Sequence, residues 1–179
     1  MKLYSYFRSS AAYRARIALH LKGLPFDYAP VHLRKGEQNA EAYRALNRQE
    51  LVPTLIDGDT AVTQSLAIIE YLDERHPEPP LLPSAPAGRA RVRAIALAIC
   101  CDIHPLNNLR VLQHLREMGQ DEDAVKGWYR HCLPMASHGW RPIWRARRAA
   151  ARLSPALAPA SPIAALCPRY TMRDASIAT

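Results

Sequence analysis

A proline-rich stretch between residues 77 and 88 limits the folds open to this 179-residue chain more than any other feature. The stretch contains five prolines. Because proline fixes φ and lacks the backbone N–H that helices and sheet ladders use, neither a long helix nor a central strand can run through it. We therefore predict a stiff linker over residues 81–88, which joins a first domain of residues 1–80 to a second domain.

The first 80 residues alternate between strand-like and helix-like segments. Runs rich in β-branched and aromatic residues predict strands at 2–7, 26–31, 51–56 and 61–63. Apolar and small residues at helical spacing predict three helices: one that begins near Ser9 and Ser10 and stops at Gly23, one at 39–46, and one at 65–75. Ser9 or Ser10 is expected to cap the first helix and Ser65 the third. The predicted order is βαβαββα.

The segment after the linker, residues 89–133, is predicted to be all-helical. Residues 89–118 have the length and pattern of one long helix, in which Pro105 should cause a kink. A further helix is predicted over 121–133, capped by Asp121. On the long helix, His104 and Asn108 stand four residues apart and would share one face beside the kink.

Residues 134–179 differ in composition from the rest of the chain. They hold seven arginines against one acidic residue, Asp174, contain no Lys or Glu, and repeat proline without any helical period. We predict that this Arg/Ala/Pro-rich tail is disordered or is the product of a frameshift, so that the helical domain would be incomplete. A basic tail with an interaction role and a segment with some ordered structure are the alternatives.

Composition argues against several classes of protein. Most of the net charge of +8 lies in residues 134–179, so we do not expect nucleic acid as a partner. The four cysteines form no CxxC pair, and neither a disulfide framework nor a metal site is expected. No apolar run is long enough to span a membrane and no signal-peptide pattern is present, which predicts a cytoplasmic location without a membrane partner.

Three motifs stand out in the first domain. They are Arg-Ser-Ser-Ala-Ala-Tyr-Arg-Ala-Arg-Ile-Ala-Leu at 8–19, Leu-Val-Pro-Thr-Leu at 51–55 and Gln-Ser-Leu-Ala-Ile-Ile-Glu-Tyr-Leu at 64–72. With them the chain resembles the glutathione transferase family, and its zeta class in particular. The stretch Cys-Asp-Ile-His-Pro-Leu-Asn-Asn-Leu-Arg at 101–110 is similar to bacterial maleylpyruvate and maleylacetoacetate isomerases. This resemblance covers residues 1 to about 133 and implies an α/β thioredoxin-like N-terminal domain followed by an all-α C-terminal domain.

The resemblance also implies a function. It points to a cis-trans isomerase that uses glutathione as cofactor and converts maleylacetoacetate or maleylpyruvate, both small dicarboxylates, to the fumaryl isomer in the degradation of aromatic amino acids and other aromatic compounds. A homodimer is implied as well. Two alternatives stay open: a general zeta-type glutathione transferase, and a non-catalytic module that only binds glutathione.

Several residues of the first domain are candidates for holding glutathione. The hydroxyls of Ser9 and Ser10, at a helix start, can stabilise the thiolate. Gln64 and Ser65 offer an amide, a hydroxyl and backbone N–H groups to the γ-glutamyl carboxylate. By the resemblance, a cis Val52–Pro53 peptide turns the backbone of Val52 toward the cysteinyl unit. The remaining candidates are Ala11, which stands where many relatives have cysteine, and Gln38 and Gln49, both for the glycyl end of glutathione.

Arginines and the second domain supply the other candidates. Arg8 and Arg110 are expected to bind the substrate carboxylates, and Arg8 is counted with Ser9 and Ser10 as catalytic. The resemblance implies that Asp102 reaches the γ-glutamyl amine across a dimer interface. His104 and Asn108 are predicted to contact glutathione or orient the substrate. Each of these residues could instead be an ordinary surface, capping or packing residue.

Overall fold

The computed structural model describes residues 1–135, with side chains up to Cys132. Within this range the chain divides into two compact units. The first comprises residues 1–82 and the second begins at Pro83. The predictions for the Arg/Ala/Pro-rich tail fall outside the described residues, except that its first two positions continue a helix.

A four-stranded sheet forms the centre of the first unit. Its strands are β1 (Lys2–Ser5), β2 (Asp27–Pro30), β3 (Thr54–Asp57) and β4 (Thr60–Thr63), in the spatial order β2-β1-β3-β4. β1 pairs with β2 in parallel, and the β1–β3 and β3–β4 pairs are antiparallel. Leu3 lies opposite Leu55 across the β1–β3 pair, and both side chains are fully buried. The sheet therefore presents these two leucines to the core on one face of its pleat.

Three helices complete the first unit: α1 (Ser10–Leu21), α2 (Glu41–Leu46) and α3 (Ser65–Arg75), with short 3₁₀ turns at Leu33–Lys35 and Glu37–Asn39. The order βαβαββα is thus as the sequence predicts. Helix α1 ends as expected at Gly23, whose φ of 64° suits glycine. The Gly23 N–H bonds the His20 carbonyl, and the Leu24 N–H bonds the Leu19 carbonyl, which closes the helix with a Schellman motif.

The core of the first unit lies between the sheet and the helix pair α1–α3. Alanines on one face of α1 allow α3 to approach closely, and α3 contributes the buried Ile68, Ile69 and Leu72. A second cluster of buried residues consists of Tyr6, Ala12, Val31, Tyr43 and Val52. The apolar face predicted for α3 is therefore the face that packs in the core.

The second unit is helical: α4 (Pro86–Leu97), a π-helical turn (Ala98–Ile103), α5 (Leu109–Glu117) and α6 (Glu122–Met135). The prediction of one helix over 89–118 with a kink is wrong. The π-helical turn ends with the His104 N–H bonded to the Ile99 carbonyl, and the chain then turns before α5 begins. Pro105 cannot donate the next helical hydrogen bond, and the Asn108 side chain accepts from the Arg110 N–H to start a new helix.

The start of α6 matches its prediction. The Asp121 carboxylate accepts a hydrogen bond from the Ala124 N–H at 2.8 Å, which is the geometry of an N-cap. Among residues 1–135, none of the helices has the length and apolarity needed to cross a membrane.

Candidate functional site

The start of α1 places a serine hydroxyl where a thiolate could be stabilised. Ser9 is the N-cap of the helix, as predicted, and its Oγ accepts a hydrogen bond from the Ala12 N–H at 3.2 Å. A hydroxyl that accepts in this way keeps its own O–H for donation. Ser10 opens the helix beside it, and both serines are half-exposed. The N-terminal N–H groups of α1 add a positive partial charge at the same place.

Arg8 and Ala11 flank these serines. Arg8 is exposed on the turn between β1 and α1, immediately before Ser9. Ala11 is buried in the first turn of the helix. A methyl group therefore stands at the position where the resemblance implied a cysteine.

The Val52–Pro53 peptide is cis, as the resemblance implied, and both residues are buried. A polar network fixes the carbonyl that precedes this peptide. The Tyr43 hydroxyl donates to the Leu51 carbonyl at 2.6 Å, and the Asn47 side-chain amide donates to the same oxygen at 2.8 Å. The loop that leads into β3 is thus held at its backbone.

Thr54 connects the two donors of this network. Its Oγ1 lies 3.0 Å from the Tyr43 hydroxyl and accepts from Asn47 Nδ2 at 3.2 Å. Burial raises the pKa of the Tyr43 phenol above its ordinary value, so that the hydroxyl stays a donor across the neutral range. Tyr43, Asn47 and Thr54 were not predicted from the sequence, because no local pattern indicates the hydrogen bonds that form between them in the fold.

Gln49 and Gln64, two separately predicted candidates, meet in the structure. Gln64 Nε2 donates to Gln49 Oε1 at 2.8 Å, and the Gln49 backbone N–H donates to Asn47 Oδ1 at 2.9 Å. Gln64 has a φ of 68°. For a non-glycine residue such a conformation costs roughly 1–3 kcal/mol, and it is typical of ligand clamps.

The prediction that Ser65 caps α3 is wrong. Gln64 occupies the N-cap position without a side-chain capping bond, and Ser65 is the first residue of the helix. The Ser65 hydroxyl instead accepts two hydrogen bonds from Arg14, from Nε at 3.2 Å and from Nη2 at 3.0 Å. Both residues are buried, each with 5% of its surface exposed.

Arg14 is the residue of this site that sequence reasoning overlooked, although a signal was present. It lies three residues after Ala11 and four before Ala18, which are buried on the face that α1 turns to the core. An arginine among the small residues of a buried face is unusual, since charged residues are rarely buried without a partner. The pattern therefore indicates a side chain with a specific task.

Gln38 lies apart from the other candidates. It belongs to the second 3₁₀ turn, and its Oε1 is buried and accepts no hydrogen bond from residues 1–132. No described contact joins it to Ser9, Gln49 or Gln64. Its part in binding glutathione stays a prediction.

Four candidates belong to the second unit, and their roles likewise stay predictions. Asp102 is exposed in the π-helical turn, and His104 follows that turn. Asn108 is the N-cap of α5, and Arg110 is exposed in its first turn. His104 and Asn108 do not share a helix face as predicted, because the helix ends between them.

Comparison with known proteins places these features in a family. Residues 3–80 match the family described as glutathione S-transferase, N-terminal domain. A maleylpyruvate isomerase of Ralstonia sp is 52% identical over 129 residues, 72% of this chain and 61% of the relative. The maleylacetoacetate isomerase of Pseudomonas aeruginosa is 52% identical over 134 residues, 73% of this chain and 63% of the relative. The chain thus spans somewhat under two thirds of these relatives.

Solved structures agree. A holo maleylpyruvate isomerase, described as a bacterial glutathione S-transferase of the zeta class, superposes with a TM-score of 0.76 at 48% identity, over 78% of this chain and 66% of that one. The maleylacetoacetate isomerase of Methylobacterium extorquens AM1 with bound malonate and glutathione gives a TM-score of 0.73 at 40% identity, over 76% and 64%. From its motifs, its fold and these relatives, the chain belongs to the zeta class of the glutathione transferase family.

Proposed function

We propose that this chain is a glutathione-dependent cis-trans isomerase that converts maleylacetoacetate or maleylpyruvate to the fumaryl isomer. The observation that carries the proposal is the polar start of α3, where Gln64, Ser65 and Arg14 together suit an anion. The substrate class comes from relatives that are about half identical and are named maleylpyruvate isomerase and maleylacetoacetate isomerase.

The first unit fits glutathione at its two chemically demanding ends. The γ-glutamyl end carries a carboxylate, which suits the Ser65 hydroxyl and the unpaired N–H groups in the first turn of α3. The thiol end needs a hydrogen-bond donor and positive potential, which Ser9 and the start of α1 supply. Val52, beside the cis peptide, would offer its backbone to the middle of the tripeptide.

When bound, glutathione supplies a thiolate that adds reversibly to the maleyl double bond and so permits rotation. The protein's task is to lower the cost of the negative charges involved. The Ser9 hydroxyl would donate to the sulfur of bound glutathione, which favours the thiolate over the thiol. Arg8 and Arg110 are proposed to bind the two carboxylates of the substrate and to stabilise the charge that develops on its carbonyl oxygen. Neither arginine needs to move a proton.

The direct test is isomerisation of maleylpyruvate and of maleylacetoacetate by the purified full chain, followed by ultraviolet absorbance with and without glutathione. We expect turnover only when glutathione is present. A Ser9→Ala variant should lose about tenfold to a hundredfold in kcat/KM, the size of a lost hydrogen bond to a charged group. Ser84→Ala, an exposed serine of the linker, is the matched control and should behave as wild type. Turnover without glutathione would contradict the proposal.

We also infer, from the family resemblance, a homodimer located in the cytoplasm. Asp102 would then approach the γ-glutamyl amine of glutathione bound to the other copy. Analytical ultracentrifugation should show a dimer, and Asp102→Asn should weaken glutathione binding. A monomer with unchanged glutathione affinity in the variant would contradict both statements.

A further inference from the structure

Arg14 is a buried cation without a carboxylate partner among the described residues. Its guanidinium donates two hydrogen bonds, and both go to one neutral oxygen, Ser65 Oγ. The ion pairs of residues 1–132 involve other cations. A charge taken out of water is unfavourable unless an opposite charge or several dipoles compensate it. A single hydroxyl is little compensation for a guanidinium with five N–H donors.

Lys22 shows what a fully compensated buried cation looks like in the same unit. Its Nζ bonds Asp73 Oδ1 at 2.5 Å and the carbonyls of His76 and Pro79 at 2.6 and 2.7 Å. Its charge is neutralised by an acid, and its donors meet oxygen atoms of the protein. Nothing at this position calls for an additional anion. The contrast suggests that the counter-ion of Arg14 is supplied from outside the chain.

The two hydrogen bonds from Arg14 also determine what Ser65 can do. A hydroxyl has two lone pairs and one O–H. Because Nε and Nη2 of Arg14 occupy the accepting side of Ser65 Oγ, the hydroxyl is left as a donor. It stands in the first turn of α3, whose backbone N–H groups also have no helical acceptor. Hydroxyl, helix start and guanidinium therefore all favour an anion at one place.

We propose that Arg14 is a positioning residue for the γ-glutamyl carboxylate of glutathione. It orients the Ser65 hydroxyl as a donor toward that carboxylate and supplies the buried positive charge behind it. This inference rests on the proposed function, since it names the residue behind the anion site of the same cofactor. Arg14 acts through Ser65 and is not itself a catalytic residue.

The test compares two ligands by titration calorimetry on the full chain: glutathione, and 4-aminobutanoyl-cysteinyl-glycine, which lacks only the α-carboxylate of the glutamyl residue. Arg14→Met should weaken glutathione binding on the order of tenfold to a hundredfold, the range for hydrogen bonds to charged groups. It should leave the affinity for the analogue within about twofold, because the missing carboxylate removes the interaction that Arg14 supports. Ser65→Ala should show the same selectivity, and the double variant should lose little more than either single one.

Two further variants separate positioning from folding. Arg14→Lys keeps the buried charge without the two-pronged contact, and we expect a glutathione affinity between those of the wild type and Arg14→Met, again with the analogue unaffected. Asp73→Asn alters the ion pair at the other end of the same helices and should change neither affinity. Circular dichroism on each variant establishes that it is folded.

The possible results can be told apart. One result is that the wild type binds glutathione while the Arg14 variants lose affinity for both ligands equally, or for neither. Arg14 is then a structural residue, so the inference is wrong and the proposed function stands. If the folded wild type binds neither ligand, the proposed function fails and the inference fails with it. Selective loss of glutathione affinity supports both.

Discussion

The two ends of the α1–α3 helix pair each hold a buried cation, but only one of these cations is compensated by an acid. Arg14 contacts Ser65 where α3 begins, and Lys22 contacts Asp73 near the point where α1 and α3 both end. In each pair the residues lie 51 positions apart in the sequence, so the two helices run side by side in one register. The end at Lys22 is saturated by protein oxygens, whereas the end at Arg14 is not.

A single pair of packed helices thus has one end suited to stability and one end suited to binding. Once a buried ion pair is formed, removing one partner is strongly unfavourable, because the other charge is left buried. An uncompensated charge lowers stability until a ligand compensates it. The Lys22 end is therefore expected to hold the first unit together, and the Arg14 end to hold the cofactor. Four substitutions test this division.

Lys22→Met should destabilise the first unit by about 3–5 kcal/mol, because the Asp73 carboxylate and two carbonyls lose their buried partner. Hydrogen exchange of the amides in β1 and β3 reports the free energy of unfolding of this unit. Lys35→Met, at an exposed lysine, is the control and should change that free energy by less than about 0.5 kcal/mol. Equal changes in the free energy of unfolding for the two substitutions would show that the Lys22–Asp73 contact does not stabilise the first unit.

Asn47→Ala should cost about 1–3 kcal/mol, since it leaves the Leu51 carbonyl with one donor fewer and the Gln49 N–H without its acceptor. It should also weaken glutathione binding, because the network holds the loop around the cis peptide. Asn47 is therefore expected to contribute both to stability, like Lys22, and to binding, like Arg14. Asn39→Ala, at an exposed asparagine, is the control in chemical denaturation and in glutathione titration. An unchanged glutathione affinity in Asn47→Ala would show that the Asn47 network does not contribute to glutathione binding.

Arg14→Met should change the free energy of unfolding of the ligand-free protein by no more than about 1 kcal/mol, or should raise it, because an apolar side chain replaces a poorly compensated charge. Hydrogen exchange of the same amides as for Lys22→Met makes the two numbers comparable. A loss as large as that of Lys22→Met would break the comparison, since it would give both helix ends a structural role.

The raised pKa of Tyr43 predicts a smaller change in the free energy of unfolding, at alkaline pH. Burial raises this pKa in the folded protein, so the stability linked to the protonated phenol is present below pH 10 and is lost as the pH rises through the raised pKa. Between pH 8 and pH 10 the wild type should lose more stability than Tyr43→Phe, by at most about 0.4 kcal/mol under the usual linkage relation. Urea unfolding at the two pH values measures it, and parallel pH dependences would contradict it.

The sequence predicts those parts of the fold that depend on local signals. The Ser9 and Asp121 caps, the stop at Gly23 and the βαβαββα order each follow from residues that are neighbours in the chain. Local signals mislead where one sequence pattern fits two structures, here a kinked helix and two helices joined by a turn. The helical period continues through Pro105, yet the chain turns there. The same holds at Ser65, a good capping residue that the fold places one position inside the helix.

The candidate site is predicted less completely, because its key contacts join distant positions. No local pattern links Arg14 to Ser65, 51 residues away, or Tyr43 to Thr54. The family motifs point to Gln64 and Ser65, and the spacing of Arg14 among buried alanines marks it as unusual. Only the packing of the two helices side by side shows that Arg14 contacts Ser65. Burial of a charged residue is a property of the tertiary structure.

The most direct test of the division between the two helix ends is a glutathione titration of the isotope-labelled full chain followed by amide chemical shifts. We expect saturable shifts concentrated at the starts of α1 and α3, at Ser9, Gln64 and Ser65, with little change at Lys22 and Asp73. Shifts centred on Lys22 and Asp73, or no shifts at saturating glutathione, would contradict it.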